Sequence, residues 1–292
     1  MSTQTIHKLS LRAGTADTSI DEKFKKDLHL FPTYAQGVAR EPDYAFDAWL
    51  PRPDPSLHYE PLTDFEHVDP GTRVPDPLTN PLDELLKNAQ TAEITPAIGT
   101  EVSGVQLSTL SPAQKDQLSV LAARRGVLIF REQDFQELSV PDALDWARYF
   151  GRLHIHPTSA HPEGYPEVHL VYRDRKSSFN YEKSDRTNSV TWHSDVSYET
   201  QPPGLTSLFL FSSPESGGDT LFVNTAKAYE RLSPEFRERL HGLQVVHSGH
   251  EQANYLRRDG KRGAHSALLD LPEGARRHGA RLTPQAERPF FK

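Results

Sequence analysis

The sequence predicts a mainly β fold with flanking helices, a β-sandwich or jelly roll, on three observations. First, short β-rich runs punctuate the chain from residue 127 onward: "VLIFR" (127–131), "GLTSLFLF" and "DTLFVN" on either side of a Pro/Ser/Gly turn (204–224), and "LQVVHS" (243–248). Second, helices are few and carry explicit start and stop signals. Third, no self-similarity at a solenoid period is present.

The elements follow in order. "TPAIGTEVSGVQL" (95–107) reads as two short strands about a glycine turn. Ser111 caps a helix with Pro112 in its first turn, Gln114 completes a capping box, and Gly126 stops it. A buried strand over 127–131 comes next. "VPDALDWARYFG" (140–151) is a second helix, with Ala143, Leu144, Ala147 and Phe150 on one face and Gly151 as its end. The 204–224 stretch is a hairpin with a loop of several residues, and Thr220 opens its second strand. Ser233 and Pro234 start a further helix that Gly242 stops, and 243–248 forms another strand.

Residues 1–93 differ in texture. Their prolines deny backbone donors and forbid long regular elements. They are expected to form an arm on the domain surface anchored by aromatics, with disorder as the alternative, and the domain itself is placed at 94–292.

Composition excludes several classes. Net charge is −7 and no Lys/Arg stripe interleaves with aromatics, so nucleic acid is not an expected partner. There are no cysteines, hence no disulfide framework and no thiolate metal site; a metal would be held by His and carboxylate. The longest apolar runs are too short for a bilayer, and the N-terminal stretch has no apolar core of a secretory signal. A cytoplasmic protein with no membrane association is expected, and a homo-oligomer is left open.

"SVTWHSDVSYETQPPG" (189–204) contains His193 and Asp195. On a strand, a spacing of two would put imidazole and carboxylate on one face, ready for one ion. Bare His-x-Asp is weak evidence: a chain with 14 histidines is expected to contain about one by chance. A second copy, His67 and Asp69, lies in the Pro-rich arm and is read as chance. A third ligand beside His193 and Asp195 would complete a 2-His-1-carboxylate triad of the non-haem Fe(II) oxygenases. Further along stand His265 and, eleven and twelve residues later, Arg276 and Arg277, spaced to bind the far carboxylate of a dicarboxylic co-substrate.

"WHSDVSYETQPPG", "PESGGDTLFVNTAKAYERLSPEF" and "AHSALLD…RRHGARLTPQAERP" together resemble the taurine/2,4-D dioxygenase family, most of all its fungal sulfonate dioxygenases. The likeness covers about residues 60–292. It implies a double-stranded β-helix (jelly roll) and dependence on Fe(II), 2-oxoglutarate and O₂. It also implies hydroxylation of a small anionic sulfonate, with release of sulfite and an aldehyde. His193, Asp195 and His265 are the implied iron ligands. Thr220 and Arg277 are implied at the 2-oxoglutarate carboxylate, with Arg276 the alternative by one residue. "FGRLHIHPTSAHPEG" extends the likeness and implies that His156 contacts the sulfonate, with Arg281 as its cationic partner. His154, His161, His169, His247 and His250 have no such match and are expected to be structural or solvated.

One departure stands out. Asp195 and His265 are 70 residues apart, whereas family members commonly separate these ligands by well over a hundred. A segment before His265, near residues 260–263, is expected to be missing and the jelly roll incomplete. The rival readings are therefore a catalytically impaired relative or aberrant product, and the same chemistry on a sulfate ester, an aryloxy acid or a purine.

Overall fold

A computed structural model describes residues 37–54, 63–156, 159–172, 192–197, 199, 201–213, 215–241, 243–248 and 277–281. All of these except Tyr172 belong to one unit of the chain, residues 34–171 and 192–292.

The centre of this unit is a three-stranded sheet in the order β1-β2-β3: β1 (Gln90–Glu93), β2 (Thr100–Ser103) and β3 (Leu128–Phe130). β1 runs antiparallel to β2, pairing Gln90 with Ser103 and Glu93 with Thr100. β3 runs parallel to β2, pairing Thr100 with Leu128 and Val102 with Phe130. A parallel pair needs a crossover, and the helix Pro112–Arg125 provides it. Strand alternation turns Thr100 and Val102 inward and leaves Ser103 exposed.

The stretch 95–107 thus holds one strand, not two. Its partner is β1, which precedes the expected domain start. The sequence "QTAE" is exposed at all four positions. An edge strand that buries nothing carries no apolar alternation to reveal it.

Helix signals are met at the level of single hydrogen bonds. Four helices are used below: α1 (Asp83–Leu86), α2 (Pro112–Arg125), α3 (Val140–Arg148) and α4 (Pro234–Leu240). Ser111 Oγ accepts from Gln114 N and Gln114 Oε1 accepts from Ser111 N, the full capping box of α2; Gly126 at φ 73° ends the helix. Ser139 and Ser233 cap α3 and α4 with the hydroxyl bond alone, accepting from Asp142 N and Phe236 N. α3 buries Ala143, Leu144 and Trp146, while Ala147 and Phe150 pack at the edge of the core.

The core is formed by Leu82, Leu85, Val102, Val120, Phe135 and Trp146 with their neighbours. Trp146 donates Nε1–H to Leu107 O at 2.6 Å, so its polar edge is satisfied where it is buried. Phe135 meets Trp146 edge-on at 5.2 Å and stacks on Phe209 at 4.0 Å. Burial of each such ring contributes about 1.5–3 kcal/mol.

That Phe209 contact bears on the expected hairpin. Among the described residues, neither half of 204–224 is in a strand. The first half nevertheless alternates. Phe209 reaches Phe135, and Phe211 stacks on Phe46 at 5.0 Å and lies 4.8 Å from Trp49, while Leu208 and Leu210 are exposed. The strand pattern is real, but among the described residues no neighbouring strand pairs with it. Thr220 accordingly opens no strand and is exposed.

β4 (Gln244–Ser248) and β5 (Arg277–Arg281) form an antiparallel pair, Gln244 opposite Arg281 and Ser248 opposite Arg277. No helix among the described residues is long and apolar enough to cross a membrane.

Candidate metal and anion site

His193 and Asp195 are not on a strand. Residues 192–194 are irregular, and 195–197 form a turn closed by Glu199 N–H donating to Val196 O at 2.9 Å. Val196 sits at φ 41°, a left-handed conformation that β-branched residues rarely adopt, with its side chain buried. Val196 is buried in this turn while its neighbour Asp195 is exposed. Strain of this kind costs about 1–3 kcal/mol and collects at functional sites.

The turn brings together what the sequence reading assigned to a strand. His193 Nε2 and Asp195 Oδ1 are 3.2 Å apart, with side chains 65% and 55% exposed. Two donors each about 2.1 Å from one ion and at a right angle would be about 3.0 Å apart. The pair therefore fits adjacent positions on an octahedral ion with an accessible outer side. Among the described residues no group of three His, Asp or Glu side chains could hold a metal. His265, the expected third ligand, and Arg276 lie outside the described residues.

Beside the pair is a group of imidazoles. His156 and His169 have ring centroids 4.4 Å apart, inclined at 52°, and His154 is 6.4 Å from His156 at 81°. Burial pushes the His156 pKa down to about 3, reinforced by His169 and then His154. His156 is a neutral imidazole at ordinary pH. His169 is also held below the usual histidine value by desolvation, with Asp195 opposing and His154 adding. The residue is nonetheless exposed at the surface, with the His156 ring against it. Asp195 acts on the His169 ring electrostatically, so the imidazole group and the His193/Asp195 pair are close enough to feel one another's charge.

Four contacts fix the loops that carry these groups. His154 donates Nε2–H to both Glu199 carboxylate oxygens at 2.9 Å. Gln201 accepts from Phe65 N and donates to Phe65 O, each at 3.0 Å. Arg52 N–H donates to His161 O at 2.9 Å, and Arg40 pairs with Glu163. Described parts of the Pro-rich arm thus hold both the 159–163 and 199–201 segments.

His154, expected to be structural or solvated, has a structural role in holding Glu199, and His169 lies against His156. His161 is buried, with Nδ1 2.8 Å from Pro162 O. His67 and Asp69, read as chance, have structural contacts. Asp69 Oδ1 accepts from Gly71 N at 2.7 Å. His67 packs so closely on Gly151, φ 145°, that a Cβ there would meet its Cε1 at 2.9 Å. His247 is on β4, and His250 lies outside the described residues. Arg277 and Arg281 are the first and last residues of β5. Glu199 and Gln201 were missed by the sequence reading. Glu199 had one available signal, its place four residues after Asp195; Gln201 had none.

The chain matches the family model "Taurine catabolism dioxygenase TauD, TfdA family" over residues 90–291, a start that coincides with β1. It is 40% identical over 225 residues to an alpha-ketoglutarate-dependent sulfonate dioxygenase of Saccharomyces cerevisiae, covering 76% of this chain and 53% of that protein. It is 40% identical over 248 residues to the alpha-ketoglutarate-dependent dioxygenase cnsP of Penicillium expansum, covering 81% and 65%. With an alpha-ketoglutarate-dependent sulfate ester dioxygenase of Pseudomonas putida it shares 33% identity over 152 residues, covering 52% and 46%. The chain therefore spans about half to two thirds of the length of these relatives.

Proposed function

Because the chain belongs to the TauD/TfdA family of taurine catabolism dioxygenases, we propose that it is an Fe(II)- and 2-oxoglutarate-dependent dioxygenase acting on a small sulfonate. The observation that carries the reading is the His193–Asp195 pair, 3.2 Å apart and open to solvent. It offers one nitrogen and one oxygen to an ion whose third protein ligand would be His265. Iron(II), when bound there, supplies O₂ activation coupled to oxidative decarboxylation of 2-oxoglutarate to succinate and hydroxylation of the substrate.

The protein's own residues have the remaining work. Thr220 and Arg277, with Arg276 as the alternative, are assigned to the distal 2-oxoglutarate carboxylate, the Arg by charge-assisted hydrogen bonds. His156 and Arg281 are assigned to the sulfonate. A neutral imidazole donates one N–H and a guanidinium adds the positive charge, which together suit a monoanion with three acceptor oxygens. Hydroxylation at the carbon bearing the sulfonate leaves a hydroxysulfonate that breaks down to an aldehyde and sulfite. The relatives' names support the substrate class, and a sulfate ester is the nearest alternative. The reading includes the family's double-stranded β-helix as the fold, shortened near residues 260–263, and a cytoplasmic setting.

A second reading, a relative with impaired catalysis, is favoured by one specific observation. Among the described residues neither the alternating run 205–211 nor the run 219–223 is in a strand, and their outward apolar side chains are exposed.

Anaerobic titration with Fe(II) and 2-oxoglutarate decides between them. The dioxygenase reading expects the weak visible charge-transfer band of the chelate at one equivalent of metal. A folded chain that gives no band at any Fe(II) concentration would overturn it.

A further inference from the structure

The His154–Glu199 contact joins the two loops that the proposed function depends on. Glu199 is four residues beyond Asp195, and its N–H is tied to Val196 O, so the turn that presents Asp195 also fixes Glu199. His154 is two residues before His156, with its ring against that of His156. His154 Nε2–H is shared between both carboxylate oxygens at 2.9 Å, and the two side chains are only 16% and 25% exposed. The His169 ring also lies against that of His156, with centroids 4.4 Å apart.

We propose that His154 and Glu199 are a positioning pair that sets the place of the His156 imidazole relative to the His193/Asp195 pair, and so the distance from a bound sulfonate to the metal. This rests on the reading above, which assigns the anion to His156. Neither residue is assigned contact with substrate or metal, so the pair acts through its neighbours. An ordinary surface ion pair contributes little to stability. This one bridges loops far apart in sequence, 154 and 199, where a small displacement moves the His156 imidazole relative to the His193/Asp195 pair.

Equilibrium binding separates positioning from simple support. For the Fe(II)- and 2-oxoglutarate-loaded chain, Glu199→Leu is expected to weaken binding of 2-aminoethanesulfonate by about tenfold, the scale of losing a residue that orients a ligand. Fe(II) affinity and the thermal midpoint should stay unchanged. Glu199→Gln keeps an acceptor for His154 Nε2–H and should recover most of the loss. His154→Leu combined with Glu199→Leu should be no worse than either alone, as for residues acting as one unit. Equal losses of sulfonate and Fe(II) affinity, or no loss of sulfonate affinity, would overturn the proposal.

If the parent chain binds no sulfonate, it is the functional reading that fails, and histidine-ring NMR of the metal-free chain then tests the pair. Glu199→Leu should move the His156 ring signals as well as those of His154 and leave His67 in place. A His156 signal that stays while His154 moves would sink the coupling. A single unfolded envelope from all 14 histidines would sink the coupling and the fold together.

Discussion

The Gln201 side chain grips Phe65 by both of its backbone groups, accepting from N and donating to O at 3.0 Å each. The partners are 136 residues apart, one in the Pro-rich arm and one six residues after Asp195. Each bond contributes about 0.5–1.5 kcal/mol, and an apolar replacement would leave both backbone groups unserved by the protein. Gln201→Leu is expected to cost about 1–3 kcal/mol in denaturant unfolding. It should also speed protease cleavage near residue 65. Unchanged cleavage would mean that the clamp does not hold the arm.

His193→Ala and Asp195→Ala should each abolish Fe(II) binding. Each removes one of two donors that converge at 3.2 Å, and losing even an outer supporting partner of a metal ligand costs about 10–100-fold. Fe(II) titration of each variant checks this; parental affinity in either would remove that residue from the ligand set.

For the co-substrate, Arg277→Ala should weaken 2-oxoglutarate binding more than Thr220→Ala. A charge-assisted bond contributes about 1.5–3 kcal/mol, against about 1 for a neutral hydroxyl. Arg277 also holds a defined position on β5, opposite Ser248. If calorimetry finds Arg276→Ala the costlier of the two Arg changes, the register after His265 is off by one.

His156 gives a pH prediction. Its folded pKa, about 3, lies below the ordinary histidine value because burial disfavours the imidazolium. Between that value and about 6.5, the unfolded chain binds a proton that the folded chain does not. Stability therefore rises with pH across this window: the penalty is absent above the unfolded pKa and grows as pH falls toward 3. His156→Gln should flatten the urea-midpoint profile between about pH 6.5 and 4. A variant whose acid slope equals the parent's would place the His156 ring in water rather than in a protein wall.

How legible these features were in sequence depended on range. The starts of α2, α3 and α4 are encoded within four residues by Ser111, Ser139 and Ser233, whose hydroxyls reach N–H groups three positions on. β1 was illegible because an exposed edge strand needs no apolar residue. His193 and Asp195 were legible as a pair, but not the turn that carries them, in which a buried Val196 adopts a left-handed conformation that propensity disfavours. His154, His169 and Glu199 meet only through tertiary packing, and no local pattern announces such meetings.

The last prediction follows from the run 205–211. Its alternation is that of a strand, with Phe209 and Phe211 packed inward on Phe135, Phe46 and Trp49. Leu208 and Leu210 face outward at 60% and 73% exposure, and Leu221, Phe222 and Val223 in the second run are all more than half exposed. Extended backbone without a ladder partner, carrying apolar side chains, is a template for pairing with another chain. Contiguous exposed apolar surface of this kind also favours association. The chain as it stands is expected to bind a hydrophobic dye in its native state and to self-associate with rising concentration, with low dioxygenase turnover. Leu208→Lys with Leu210→Glu should suppress both the dye binding and the association without touching Phe209 or Phe211, and so without loss of the core stack. Sedimentation velocity and dye fluorescence on the two proteins make the comparison. A parent chain that stays monomeric at high concentration, binds no dye and turns over at ordinary enzyme rates would show that this face is covered in solution and the site closed.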